Sequence, residues 1–157
     1  MILVVDASVA TKWFFAESGH GAARALAREE NILIAPDLIV AEVCNTAWKK
    51  VARGEASVEQ ARELVIELPK VFRELVSCAA LGPPALDLAF ELRHPAYDCF
   101  YLALAELADA DFATADTGLA RKILKHGFPG ARLHVVGQNG YSGQPQRQVA
   151  DRQRQHG

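Results

Sequence analysis

From Cys99 to Ala105 the chain reads Cys-Phe-Tyr-Leu-Ala-Leu-Ala, seven residues that are all apolar or aromatic. A helix of that composition has no side to offer to water, so it must be packed nearly all round. Asp98 stands in the first turn of this helix, where an ionisable group needs a reason. Downstream, Phe112-Ala113-Thr114 reads as a short strand that delivers a hydroxyl and then, two residues on, the carboxylate of Asp116. A second helix begins just after it. The segment from His94 to Lys122 therefore sets the frame, and the question is which other acids it meets.

Around that frame, strands and helices alternate. Ile2-Leu3-Val4-Val5 is an unbroken apolar run, as expected of a strand covered on both faces of a parallel sheet. It ends at Asp6, and Ser8 can cap a helix over about 9–16. Gly19 and Gly21 interrupt, and 22–30 reads as another helix. Ile32 to Ala35 is a second strand closed by Pro36. Asp37 is an N-cap candidate for a long helix over 38–53, stopped by Gly54. On it Ile39, Val43, Ala47 and Val51 make one apolar row that Val40, Cys44 and Trp48 widen. Glu42, Asn45 and Lys49 form a polar stripe against it. Ser57 and Gln60 form a capping box for a helix over 58–68. A third, more exposed strand falls within 71–79, and Pro83-Pro84 opens a helix to about Arg93. The helix over 119–126 has a basic outer face, and Leu133 to Val136 is the last strand. Alternation of this kind points to a single α/β domain over 1–137. From Gln138 to Gly157 the composition turns polar and reads as a flexible tail.

A length of 157 residues suits one domain with a real core. The formal net charge of −2 argues against a generally basic nucleic-acid coat but leaves a local basic patch open. Three cysteines, widely spaced and without a CxxC pair, argue against a disulfide frame or a zinc site and fit a reducing cytoplasm. The start at Met1 leads straight into ILVVD, with no basic region or cleavage site expected of a signal peptide. No apolar run reaches the roughly 18 residues of a membrane span. A soluble, cytoplasmic protein is the expectation.

In an open parallel sheet, ligands bind beyond the carboxyl ends of the strands where the chain order reverses. Asp6 and Asp116 both follow strands, and they come together there if those strands are neighbours. Glu42 and Asp98 sit on helices that can face the same edge. Four carboxylates in a partly buried site repel one another, and a divalent cation removes the conflict. All-oxygen ligands suit Mg²⁺ or Mn²⁺ better than zinc. Such a site supports attack by water on a phosphodiester. Thr114 and Ser8 can orient ligands or waters, and Asn45 can hold Glu42 or a phosphate. Each residue also has a plainer reading. Asp6 fits a turn, Asp116 a helix cap and Asp98 a first-turn acid favoured by the helix dipole. Glu42 with Lys49 fits a solvated stripe, and Ser8 a cap.

The blocks VVDASV, IVAEVCNTAWK, YDCFYLALAE and FATADTGL occur in that order and resemble the signature blocks of the PIN domain. The short single-domain layout resembles VapC-type ribonuclease toxins, and the likeness covers roughly Ile2 to Val136. It implies a three-layer α/β/α fold with a mainly parallel five-stranded sheet. It also implies that Asp6, Glu42, Asp98 and Asp116 bind Mg²⁺ or Mn²⁺ and cleave RNA. In this resemblance Thr114, Ser8 and Asn45 take the family's polar support positions. The family further implies a homodimer and a small antitoxin that holds the enzyme inactive. Basic groups able to meet RNA phosphates are Lys12, Lys49, Lys50, Arg53, Arg93, Arg121, Lys122 and Lys125, with Lys12 and Lys49 favoured by their position one turn from Ser8 and Asn45.

Other classes fit less well. A phosphatase of the haloacid dehalogenase type also begins with a strand ending in Asp, but it needs an acid two residues on, where Ser8 stands. A phospho-acceptor receiver domain wants paired acids after the first strand, and Val4-Val5-Asp6 offers one. A non-catalytic PIN-like RNA- or protein-binding module would be favoured by loss of an acid, and all four are present.

Overall fold

Strand β1 (Ile2–Val5) lies at the centre of a parallel sheet. The computed structural model describes residues 1–28, 30–137 and the backbone of 140–141. The chain continues through helices α1 (Ala7–Ala10) and α2 (His20–Leu26) to β2 (Ile32–Pro36). Helices α3 (Leu38–Ala52) and α4 (Val58–Val71) follow, then the short strand β3 (Glu74–Val76). Helices α5 (Cys78–Leu92) and α6 (Ala96–Leu107) lead to β4 (Asp111–Thr114), α7 (Thr117–His126) and β5 (Leu133–Gly137). The strand order is β3-β2-β1-β4-β5, all parallel, and a two-residue β6 (Gly140–Tyr141) adds to β5 antiparallel.

Strand β1 is paired on both edges, with Val4 opposite Ile34 on one side and Phe112 on the other, and with helices over both faces of the sheet every position after the exposed Ile2 needs a side chain that suits burial. Leu3, Val4 and Val5 are fully buried, which is why the run shows no alternation. The chain winds outward from β1 to β3, crosses back to β4, and winds outward again to β5. Right-handed crossovers place α1 to α4 on one face and α5 to α7 on the other. The packing of α3 on α4 and α1, and of α5 on α6 and α7, agrees. The three-layer α/β/α arrangement with five parallel strands is the expected one. Helix α6 lies over β1, β2 and β4, and Cys99 and Tyr101 to Ala105 are buried.

Local details depart from expectation for physical reasons. Asp6, not Ser8, caps α1: its carboxylate accepts from the Val9 N–H. That helix is a single turn followed by a 3-10 turn over Thr11–Trp13. Helix α2 ends at Leu26, short of 30. Asp37 makes no side-chain cap on α3; it accepts from the Cys78 N–H at 3.1 Å and so serves α5. The Ser57–Gln60 capping box is present. Helix α4 runs past Pro69, and α5 starts at Cys78 behind the N-cap Ser77, with Pro83 and Pro84 inside it. Prolines in a first or last turn remove few helical bonds, whereas Pro83 and Pro84 leave only the carbonyls of Ala79 and Ala80 without helical donors. Cys44 and Trp48 widen the apolar row of α3 only into solvent, with Trp48 66% exposed. The cysteines are free thiols, as expected. Among the described residues no helix is long and apolar enough to cross a membrane. The tail from Gln138 lies outside the described residues apart from the backbone of β6.

Candidate active site

The two outward windings diverge between β1 and β4, the switch point where open α/β sheets bind ligands. Asp6 follows β1 there and is 5% exposed. One carboxylate oxygen accepts from Ser8 Oγ at 2.5 Å and from the Val9 N–H at 3.2 Å. The other accepts from Thr114 Oγ1 at 2.5 Å. Both hydroxyls work twice: Thr114 Oγ1 accepts from the Asp116 N–H at 3.1 Å, and Ser8 Oγ accepts from the Ala115 N–H at 2.9 Å. Asp6 and the backbone that carries Asp116 are thus fastened together through two side-chain hydroxyls. Burial pushes the Asp6 carboxyl up to about 6, the three hydrogen bonds opposing this without cancelling it, and the charge of Asp98 adding to it.

Glu42 faces the same region from α3. Burial raises its carboxyl above the usual range; the hydrogen bond from Tyr101 opposes this, and the charges of Asp98 and Asp6 reinforce it. Tyr101 Oη donates to Glu42 Oε1 at 3.0 Å, although the phenol ring is almost wholly buried. Its hydroxyl is held protonated by burial and then by the Glu42, Asp6 and Asp98 charges. Asp98 accepts from His94 Nε2 at 2.6 Å. Asp6, Glu42 and Asp98 therefore share one electrostatic environment. Asp116 is exposed, and its side chain caps α7 by accepting from the Leu119 N–H at 3.0 Å. Gly118 permits this: a Cβ there would stand 3.2 Å from Asp116 Oδ1. Among the described residues, no three histidine, cysteine or acidic side chains are assembled as they would be around a metal ion. Yet the donor set is all oxygen, and buried, mutually repelling carboxylates are what a hard divalent cation relieves.

The support residues divide. Ser8 and Thr114 hold Asp6, whereas Asn45 is exposed and has no hydrogen-bond partner among the described residues. Glu42 is held instead by Tyr101, whose place in the apolar run from Cys99 to Ala105 marks it in the sequence only as core. Spacing carries that signal: Tyr101 lies three residues after Asp98 on α6, so the two share one side of that helix. A polar cleft of about 370 Å³ leads from Ser8 and Glu42 past Lys49, Lys50 and Arg53. Lys12 donates to the Ser18 carbonyl at 2.8 Å and pairs with Glu17. Lys50 pairs with Glu17 at 2.7 Å and lies over the Phe15 ring. Lys49 and Arg53 carry no such ion pair among the described residues, so of the two favoured lysines only Lys49 is left without an anionic partner.

Residues 3–123 match the family model of the PIN domain. Ribonuclease VapC3 of Pyrobaculum aerophilum is 35% identical over 125 residues, covering 78% of this chain and 95% of that protein. Ribonuclease VapC1 of Mycobacterium tuberculosis is 34% identical over 122 residues, covering 74% and 87%. Among solved structures, VapBC2 from Rickettsia felis, bound to a DNA fragment from their promoter, aligns with a TM-score of 0.57 at 16% identity, over 77% of this chain and 92% of that one. The PAE2754 protein of Pyrobaculum aerophilum aligns with a TM-score of 0.58 at 18% identity, over 88% and 85%. The structural matches speak for the fold and agree with the sheet described above. With the family match running from β1 through β4 into α7, and relatives above 30% identity spanning most of the chain, this protein belongs to the PIN domain family.

Proposed function

We propose that this PIN domain is a divalent-metal-dependent endoribonuclease and the toxin of a toxin–antitoxin pair. The observation that carries the reading is the group Asp6, Glu42 and Asp98 at the switch point, where burial and mutual repulsion raise two of the carboxyls. The names of the two ribonuclease relatives support the same substrate class. Asp6, Glu42, Asp98 and Asp116 would hold Mg²⁺ or Mn²⁺. Such an ion, when bound, supplies a water of lowered pKa and neutralises charge on the phosphate being cleaved. Ser8 and Thr114 keep the Asp6 carboxylate in one orientation, Tyr101 does so for Glu42, and Lys49 and Arg53 offer the neighbouring RNA phosphates positive charge.

A small antitoxin is the proposed partner, and a homodimer the proposed assembly. An exposed apolar groove of about 430 Å³ between α3 and α4, lined by Trp48, Val51, Val58 and Ile66, supports a protein partner.

The test is incubation of the partner-free chain with a mixed tRNA and rRNA pool in Mg²⁺, Mn²⁺ or EDTA, beside Asp98→Ala. Discrete fragments that need metal and vanish in the variant are expected. No cleavage by folded protein under any metal would favour the non-catalytic binding module.

A further inference from the structure

We infer that His94 is a positioning residue for Asp98, and that Lys122 decides which ring nitrogen of His94 carries the proton. The inference rests on the reading that Asp98 holds a divalent cation. His94 sits in the turn between α5 and α6. Arg93 closes α5 in the left-handed region at φ 50°, a conformation a non-glycine residue adopts only where its surroundings hold it there. The His94 N–H then donates to the Ala89 carbonyl at 3.2 Å, and Pro95 is the N-cap of α6. This places the imidazole over the first turn of α6, its side chain only 12% exposed.

Both ring nitrogens are engaged. Lys122, arriving from α7, brings its ammonium to 3.3 Å from the Arg93 carbonyl and 3.1 Å from His94 Nδ1. An ammonium has donors only, so Nδ1 accepts. The ring proton is thereby assigned to Nε2, which donates to Asp98 Oδ2 at 2.6 Å. One oxygen of Asp98 is filled by a directed donor, and among the described residues no donor reaches the other. The carboxylate plane is fixed with one oxygen left over, which is how a ligand carboxylate is held when a neighbouring hydrogen bond orients it for a metal. The chain Arg93–Lys122–His94–Asp98 ties α5, α7 and α6 to the site, and the proposed function used none of its first three members.

The experiment is titration of the full chain with Mn²⁺, followed by calorimetry and by the EPR signal of free Mn²⁺, alongside thermal unfolding in EDTA. His94→Leu should weaken Mn²⁺ binding about 10- to 100-fold. His94→Gln, whose amide can donate to Asp98 and accept from Lys122, should recover most of the loss. Lys122→Met should weaken binding alone and add nothing to His94→Leu. Wild-type affinity in His94→Leu, beside a clear loss in Asp98→Ala, would overturn the positioning role. A His94→Gln chain that folds yet binds as weakly as His94→Leu would overturn it too, since the imidazole itself would then be required. Additive losses in the double variant would overturn the part assigned to Lys122. Unchanged Mn²⁺ binding in Asp98→Ala would instead remove the underlying metal reading.

Discussion

Asp6 shows how one side chain can be costly to the fold and still belong to the proposed ligand set. Its carboxyl is raised from 3.8 to about 6, chiefly by burial. The folded chain therefore holds this proton more tightly than the unfolded chain does, and stability falls as pH rises from about 4 to about 6 and stays lower above that. At 1.36 kcal/mol per pH unit the loss is at most about 3 kcal/mol. Asp6→Asn should accordingly raise Tm by several degrees in EDTA at about pH 7.5, give little at about pH 4, and abolish cleavage. Thermal unfolding at the two pH values checks the first part, and a variant that unfolds would make Asp6 structural. Tyr101 is the opposite case, a buried hydroxyl whose partner is Glu42. Tyr101→Phe leaves that carboxylate without its donor and should cost about 1–2 kcal/mol in urea unfolding at neutral pH. The cost should shrink at a pH low enough to protonate Glu42.

At the scale of elements, two helix caps separate structure from chemistry. Ser57 and Gln60 cap α4 in a reciprocal box that involves none of the proposed ligands. Asp116 caps α7 and belongs to the proposed ligand set. Asn is as good an N-cap as Asp. Asp116→Asn should therefore leave stability within about 0.5 kcal/mol of wild type, while RNA cleavage falls steeply. Asp116→Ala should lose both cleavage and about 1 kcal/mol. Equal activity in wild type and Asp116→Asn would leave Asp116 a cap and nothing more.

For the whole molecule, charge is a matter of placement. The formal net charge is −2, yet Lys49 and Arg53 line the cleft that starts at Ser8 and Glu42. Binding of single-stranded RNA by the inactive Asp98→Ala chain should weaken with salt. Lys49→Ala and Arg53→Ala should each reduce the slope of log K against log salt by about 0.7. An unchanged slope in both variants would put the RNA elsewhere. The two tryptophans report on the proposed partner: Trp13 is 5% exposed and Trp48 66%. If the antitoxin covers the α3–α4 groove, adding it should shift the fluorescence of Trp48 to shorter wavelength and shield it from quenching. Trp48→Phe should remove the change.

What was legible in the sequence follows from local rules. Unbroken apolar runs meant central parallel strands, an all-apolar stretch meant a helix buried on every side, and a Ser-x-x-Gln pattern meant a capped helix start. Acids placed just after strands, together with the order of the motif blocks, pointed to the site and the family. The folded chain decided what depends on approach from elsewhere in the sequence. Asp37 caps a helix 41 residues away, Tyr101 reaches Glu42 across 59 residues, and Glu17 claims Lys50 across 33. Spacing within one helix tells which residues share a face. It cannot tell which partner from another element arrives at that face, because hydrogen bonds and desolvation are set by three-dimensional neighbours. For that reason the acids and the hydroxyls of Ser8 and Thr114 were visible in the sequence, while the approach of Tyr101 to Glu42 and of Lys122 to His94 was visible only in the fold.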